Sequence, residues 1–239
     1  MGIRRGSTST PIIVDGLVFN MDAANRASYP KTGNKTFNTL NATISGSFIN
    51  DVQFITEPIS SSCFGFDGVD DYIDCGNNSS LQMTGNFTLS TWIYVISSTS
   101  YKRVMGKSNT ANNRCNYGIG FYGNKPAVIA NSSGTWFDNY SSAAALSANV
   151  WYNIVGIYDG SNFLLYNNGI LDNTSSASGF NITTAASDTS GDSLFIGDSH
   201  RATENFHGNI SLVQIYNRAL SASEVLHNYN ALKGRFGLS

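Results

Sequence analysis

The stretch "WYNIVGIYDGSNFLLYNNG", residues 151–169, constrains the fold more than any other, because two turn dipeptides cut it into strands. Asp159-Gly160 and Asn168-Gly169 supply the positive φ angles that tight β-hairpins demand, so they bound strands expected over 151–158 and 163–166. In "FTLSTWIYV", Phe87, Leu89, Thr91, Ile93 and Val95 alternate with Trp92 and Tyr94. Both sets carry bulky side chains, which predicts a central strand covered on each side. Shorter strands are expected at 117–121, 127–130, 194–196 and 210–216, with turn residues between them and neither a long helical period nor a linker. The chain therefore reads as one all-β domain over 14–239 behind a polar arm over 1–13, a size that sandwiches and barrels reach undivided. Such a Ser, Thr and Gly arm frays unless it docks on its own domain or on a neighbour, which points to assembly as a homo-oligomer.

Only 13% of the residues are charged, against a usual share of about 25%, so the surface must be built from hydroxyls and amides. With 14 basic and 16 acidic residues, the chain has no positive field to gather phosphates or anionic lipid, which argues against a nucleic-acid partner. No run approaches the roughly 20 apolar residues of a spanning helix, so membrane insertion is not expected. The opening "MGIRRGSTSTPIIVDG" offers only residues 12–14 as an apolar run, too short for a signal-peptide core, and synthesis in the cytoplasm is expected. Three cysteines, Cys63, Cys75 and Cys115, have no zinc spacing. If "CFGFDGVDDYIDC" is a hairpin centred on Val69, Cys63 and Cys75 face each other and could form a disulfide. An odd count without an export signal instead favours reduced thiols acting as small apolar side chains.

One helix closes the chain, in "HGNISLVQIYNRALSASEVLHNYN". Ser221 and Glu224 form an S-x-x-E capping box, with Leu220 and Val225 as its hydrophobic staple. The helix is expected to run to about Leu232, where Lys233-Gly234 stops it, with Val225, Leu226, Tyr229 and Leu232 as its apolar side. Too short to make a core of its own, it must lie against an edge or end of the sheets.

The ordered segments "FGFDGVDDYIDCG", "NFTLSTWIYV", "WYNIVGIYDGSNFLLYNNG", "LFIGD" and "GNISLVQIYNRALSASEVLHNYN" together resemble laminin G-like jelly-roll domains of the concanavalin A-like lectin and glucanase superfamily. The resemblance spans about residues 14–232 and implies a two-sheet antiparallel sandwich with the small helix as a plug. The opening "DGLVFNMDAANRASYPKTGN" is similar to that of jelly-roll proteins in tailed-bacteriophage virions, with Phe37 where a tryptophan is usual.

Glycosidases of that superfamily place acids as E-x-D-x-x-E on one strand, so that alternate side chains enter the cleft. Glu57 and Glu204 lack acidic residues at those offsets and Glu224 serves the helix cap, so no catalytic residues are expected. His200, His207 and His227 form no zinc grouping, and Gly118-Ile-Gly120 lies in a strand pattern without the following helix that a phosphate cradle needs. Asp67, Asp70 and Asp71 offer a hard-oxygen cluster suited to calcium, which domains of this family often bind. The resemblance also implies an aspartate ligand where Ser211 stands here, and the three aspartates have the alternative of capping turn amides. In "NSSGTWFDNYSS", Trp136, Asp138 and Tyr140 share one side of a strand beside Asn139, an aromatic and polar set suited to a glycan, and equally to a packed sheet surface or a subunit contact.

Two functional readings follow. One is a non-enzymatic virion protein that decorates or cements the particle surface through other capsid or tail proteins and copies of itself. The other is a receptor or adhesion protein, such as a tail-fibre tip, that binds host-surface glycans. The absence of shaft-like repeats or heptads favours decoration.

Overall fold

The computed structural model describes residues 11–56, 61–97, 101–109, 114–132, 135–140, 145–182, 192–198 and 204–239. Two antiparallel sheets of eight strands each are built from them. The first runs β14 (Ile170–Ser176), β13 (Asn162–Asn167), β12 (Trp151–Tyr158), β7 (Phe87–Ser97), β16 (His207–Tyr216), β5 (Cys63–Asp67) and β4 (Gln53–Ile55), and β1 (Leu17–Asp22) also pairs with β16. The second runs β11 (Thr135–Tyr140), β10 (Lys125–Ser132), β9 (Arg114–Tyr122), β8 (Lys102–Asn109), β15 (Asp192–Ile196), β6 (Tyr72–Asp74), β3 (Asn41–Ile49) and β2 (Lys35–Asn38). This is the jelly-roll sandwich that the sequence implies. Helix α1 (Ala222–Leu232) follows β16.

β7 occupies the centre of the first sheet, between β12 and β16, and alternation explains its burial on both sides. Phe87, Leu89, Ile93 and Val95 enter the core between the sheets, where Ile119, Val128, Leu194 and Ile196 of the second sheet meet them. Trp92 points the other way, stacked on Phe236 at 4.0 Å between ring centroids and on Tyr229 at 5.7 Å. The covering layer on that outer side is α1 together with a 3-10 turn over Lys233–Phe236. The helix thus lies across the outer side of the first sheet rather than at an edge or end. Val225 packs on Val155, Ile157, Tyr166 and Tyr216, while Leu226 stays 45% exposed.

The capping box forms as the sequence predicts: Glu224 N donates to Ser221 Oγ at 3.3 Å, and Ser221 N donates to Glu224 Oε2 at 2.8 Å. The stop lies further on than expected. The chain turns through Lys233–Phe236 in a 3-10 coil and leaves helical space only at Gly237, whose φ of 72° suits glycine. The continuation has a packing cause, since it carries Phe236 onto Trp92 and Arg235 to Asp22.

The β13–β14 turn has positive φ at both Asn168 and Gly169, as a type I′ hairpin requires. At the β12–β13 turn only Gly160 takes a positive φ, 96°, and the Asp159 carboxylate accepts from the amides of Ser161 and Asn162 at 2.8 and 2.7 Å.

Residues 63–75 are not a hairpin. β5 belongs to the first sheet, between β16 and β4, whereas β6 belongs to the second, between β15 and β3, so the segment crosses from one layer to the other. Cys63 and Cys75 therefore fall in different clusters, and all three cysteines are free and buried. Burial pushes the Cys63 thiol up to about 12, with Arg235 acting weakly against it, and raises Cys75 still further.

Candidate ligand-binding surface

β11 is the last strand of the second sheet and is held to β10 in continuous register, with Trp136 opposite Asn131 and Asp138 opposite Ile129. Phe137 packs against the core and meets Phe180 edge-on at 5.2 Å, which fixes the alternation. Trp136 consequently points to the outer side of the second sheet, and the backbone places Asp138 and Tyr140 at positions of the same side. Beyond Trp136, the side chains of Asp138, Asn139 and Tyr140 lie outside the described part of the structure.

Trp136 is 39% exposed, with the Arg103 guanidinium 5.8 Å from its ring centroid. That guanidinium is fixed from below: Arg103 Nε pairs with Glu204 at 3.0 Å, both side chains are buried, and the Arg103 amide donates to the Glu204 carbonyl at 2.8 Å. A paired, buried arginine orients the indole by cation–π attraction and leaves much of the ring open to solvent. Arg103 lies over Gly120, where an added Cβ would sit 3.3 Å from the arginine Cδ. Gly120, the second glycine of the G-x-G of the sequence, thus makes room for the arginine on the outer side of β9. Neither Arg103 nor Glu204 was singled out as a ligand-surface residue from the sequence, since their distance along the chain from Trp136 carries no local signal.

The three aspartates do converge. Oxygens of Asp67, Asp70 and Asp71 lie within 4.8 Å of one another at the crossover between the layers. Asp71 is buried and accepts from the amides of Asp51 at 2.8 Å and Asp67 at 3.1 Å, while Asp67 accepts from Val69 N at 2.8 Å. Burial raises the Asp71 carboxyl above its ordinary value against the pull of those two amides, and the charges of Asp67 and Asp70 add to the rise. Ionised oxygens at this separation fit a calcium ion bound at about 2.3–2.6 Å to each, and they would supply its carboxylate ligands. Ser211 does not complete the set. It stands four residues along β16 from His207, the partner of Asp67, a separation of about 13 Å. There it donates to Ser62 O at 2.6 Å and accepts from Arg235 at 2.8 Å, so a guanidinium sits at its hydroxyl.

The described glutamates are committed elsewhere. Glu204 holds Arg103, and Glu224 makes two contacts to Arg218, at 2.6 and 3.0 Å, besides its part in the helix cap. The bonds from Arg218, followed by the Ser221 amide, pull Glu224 down to about 2. Glu57 and His200 lie outside the described residues, while His227 Nε2 bonds Pro11 O at 2.9 Å.

The family model described as concanavalin A-like lectin/glucanases superfamily matches residues 67–226. A comparison with curated proteins finds no match. Among solved structures, the binding domain of Paraclostridial Mosquitocidal Protein 1 aligns with a TM-score of 0.70 at 16% identity, over 93% of this chain and 55% of that one. Domain 4 of AbnA, an extracellular GH43 arabinanase from Geobacillus stearothermophilus in complex with arabinotriose, aligns at 0.68 and 18% identity, over 89% and 98%. A botulinum neurotoxin type C structure, described as dependent on two ganglioside molecules for cell entry, aligns at 0.65 and 14%, over 91% and 51%. The chain thus spans about half the length of the two toxin chains and nearly all of the arabinanase domain. At these identities the likeness is one of fold.

Proposed function

We propose, from the premise that the chain belongs to the concanavalin A-like lectin/glucanases superfamily, that it is a non-catalytic module binding glycans on the outer side of its second sheet. The observation that carries this reading is Trp136, held half-open over a sheet edge by the buried Arg103–Glu204 pair. A pre-oriented indole offers an apolar plane for the C–H side of a sugar ring, and Asp138 and Tyr140, at positions of the same side, supply hydrogen bonds beside it, whereas the register places Asn139 at a core-side position opposite Val128. The arabinotriose complex of the arabinanase domain and the interaction of the type C neurotoxin with two ganglioside molecules support the same reading. The test is a glycan array with the wild type and Trp136→Ala. Saturable binding that the substitution abolishes is expected, and array binding that survives it would overturn the assignment.

A second reading makes the protein a structural component of a phage virion, decorating or cementing the particle surface with copies of itself and other virion proteins. It is favoured by how the root of the arm is seated: Ile13 N donates to Asn228 Oδ1 at 2.8 Å, Tyr216 OH donates to Ile13 O at 3.0 Å, and Ile13 packs beside Val225. Whatever residues 1–10 engage is thereby tied to the domain. Deleting Met1–Thr10 is expected to release the protein from particles, and full retention would remove this reading.

A further inference from the structure

We propose that a second binding site, for a small uncharged saccharide, lies at the rim of the first sheet, in the cleft between the start of β1, the loop over 79–86 and Asn217. The cleft measures about 330 Å³, within the range of small-ligand sites, and no ionisable side chain lines it. Its walls carry the hydroxyls of Ser79 and Thr84 and the amides of Asn86 and Asn217, above an apolar floor of Met83 and Val18. All four residues are exposed and, among the described residues, their side chains make no hydrogen bond to the protein, so a ligand in the cleft exchanges water for them and displaces no internal bond. Hydroxyls and carboxamides both give and accept, as vicinal diols require, whereas a carboxylate or phosphate would meet no opposing charge.

The frame is rigid. Asn78 caps the turn at the cleft wall through a bond from Ser80 N at 3.0 Å, and the backbone N–H of Asn217 donates to Gly16 O at 2.8 Å. Gly160, with its φ of 96°, stands under Asn86: a Cβ there would lie 3.0 Å from the Asn86 Oδ1. A preformed wall loses little ordering entropy on binding. The inference rests on the saccharide-binding reading for ligand class but not on Trp136, which belongs to the opposite sheet.

The test is chemical-shift mapping by NMR of the whole chain with arabinotriose and chitobiose as uncharged probes and sialyllactose as a charged one. An uncharged probe is expected to move the amides of residues 79–86 and Asn217, with affinity falling roughly tenfold in Asn86→Ala and in Asn217→Ala, one lost hydrogen bond each. Asn217→Asp, which keeps the shape and adds a charge, guards against misfolding and should weaken the uncharged probe as well. Trp136→Ala should leave these shifts in place. Probes that leave 79–86 unmoved, or shifts there that persist in all three variants, overturn the site. Binding lost only in Trp136→Ala would sink the cleft and keep the outer-sheet site, and binding lost only in the asparagine variants would do the reverse.

Discussion

The outer sides of the two sheets are built to opposite ends. On the first sheet, Trp92, Trp151, Leu212, Tyr216, Val155 and Ile157 are sealed beneath α1 and the turn that follows it. On the second, Trp136 and Tyr122 are 39% and 46% exposed, and Arg103 lies over Gly120 to meet the indole. The contrast teaches that one side of the sandwich has been given over to stability, which under the glycan-binding proposal leaves the second sheet and the rims for the ligand. A single aromatic residue type thus does different work according to whether later chain covers it.

The sharpest way to break this contrast is to truncate one aromatic on each side. Phe236→Ala removes the ring stacked on Trp92 and is expected to destabilise by about 3–5 kcal/mol in denaturant titration. Trp136→Ala should cost less than about 1 kcal/mol, the size of an exposed cation–π contact, while removing glycan binding. Equal losses at both positions would mean that the second sheet is sealed too.

Next in size is Arg235→Ala. Its guanidinium bonds both oxygens of Asp22 at 2.6 and 2.9 Å and the hydroxyls of Ser61 and Ser211 at 2.7 and 2.8 Å, so a loss of about 2 kcal/mol is expected. Glu224→Gln weakens the helix cap and its arginine pair and should cost about 1 kcal/mol at neutral pH. The folded carboxyl is lowered to about 2 from an ordinary 4.5, so its contribution is complete above 4.5 and fades as pH falls through about 2. The gap between the midpoints of wild type and Glu224→Gln should therefore shrink from pH 4.5 down to about 2 and vanish below it, and a gap unchanged over that range would contradict the cause given.

The smallest effect belongs to the aspartates. Asp70→Asn removes a charge that opposes ionisation of Asp71, and should stabilise by about 0.5 kcal/mol or less without calcium. Added calcium should raise the melting temperature of the wild type more than that of the variant.

Legibility in the sequence followed how local each cause was. The Asn168-Gly169 turn, the Ser221–Glu224 cap and the two-sided pattern of β7 are set by neighbours a few residues apart, and each formed as predicted. The segment after β5 is compatible in sequence with a hairpin and with a crossover, because Asp67, Gly68 and Asp70 punctuate a return and a change of layer alike. What decides is pairing with His207–Ile210 on one side and Ser47–Ile49 on the other, far away in sequence. Leu226 was counted as apolar contact on periodicity, yet the helix turns Asn228 inward to reach Tyr216. The alternation of Trp136 was visible, but not the Arg103–Glu204 support beneath it. The rim cleft gave no signal at all, because Ser, Thr and Asn are too abundant along this chain for any group of them to stand out.

The Arg235 guanidinium also sets a timetable. It fastens the end of β1 at Asp22 to Ser61 just ahead of β5 and to Ser211 within β16. The clasp follows all three of its partners in the chain, so β1, β5 and β16 can pair before it but are fastened together only once residue 235 is in place. A nascent chain halted before residue 235 would expose the indole of Trp92 to chaperones and proteases.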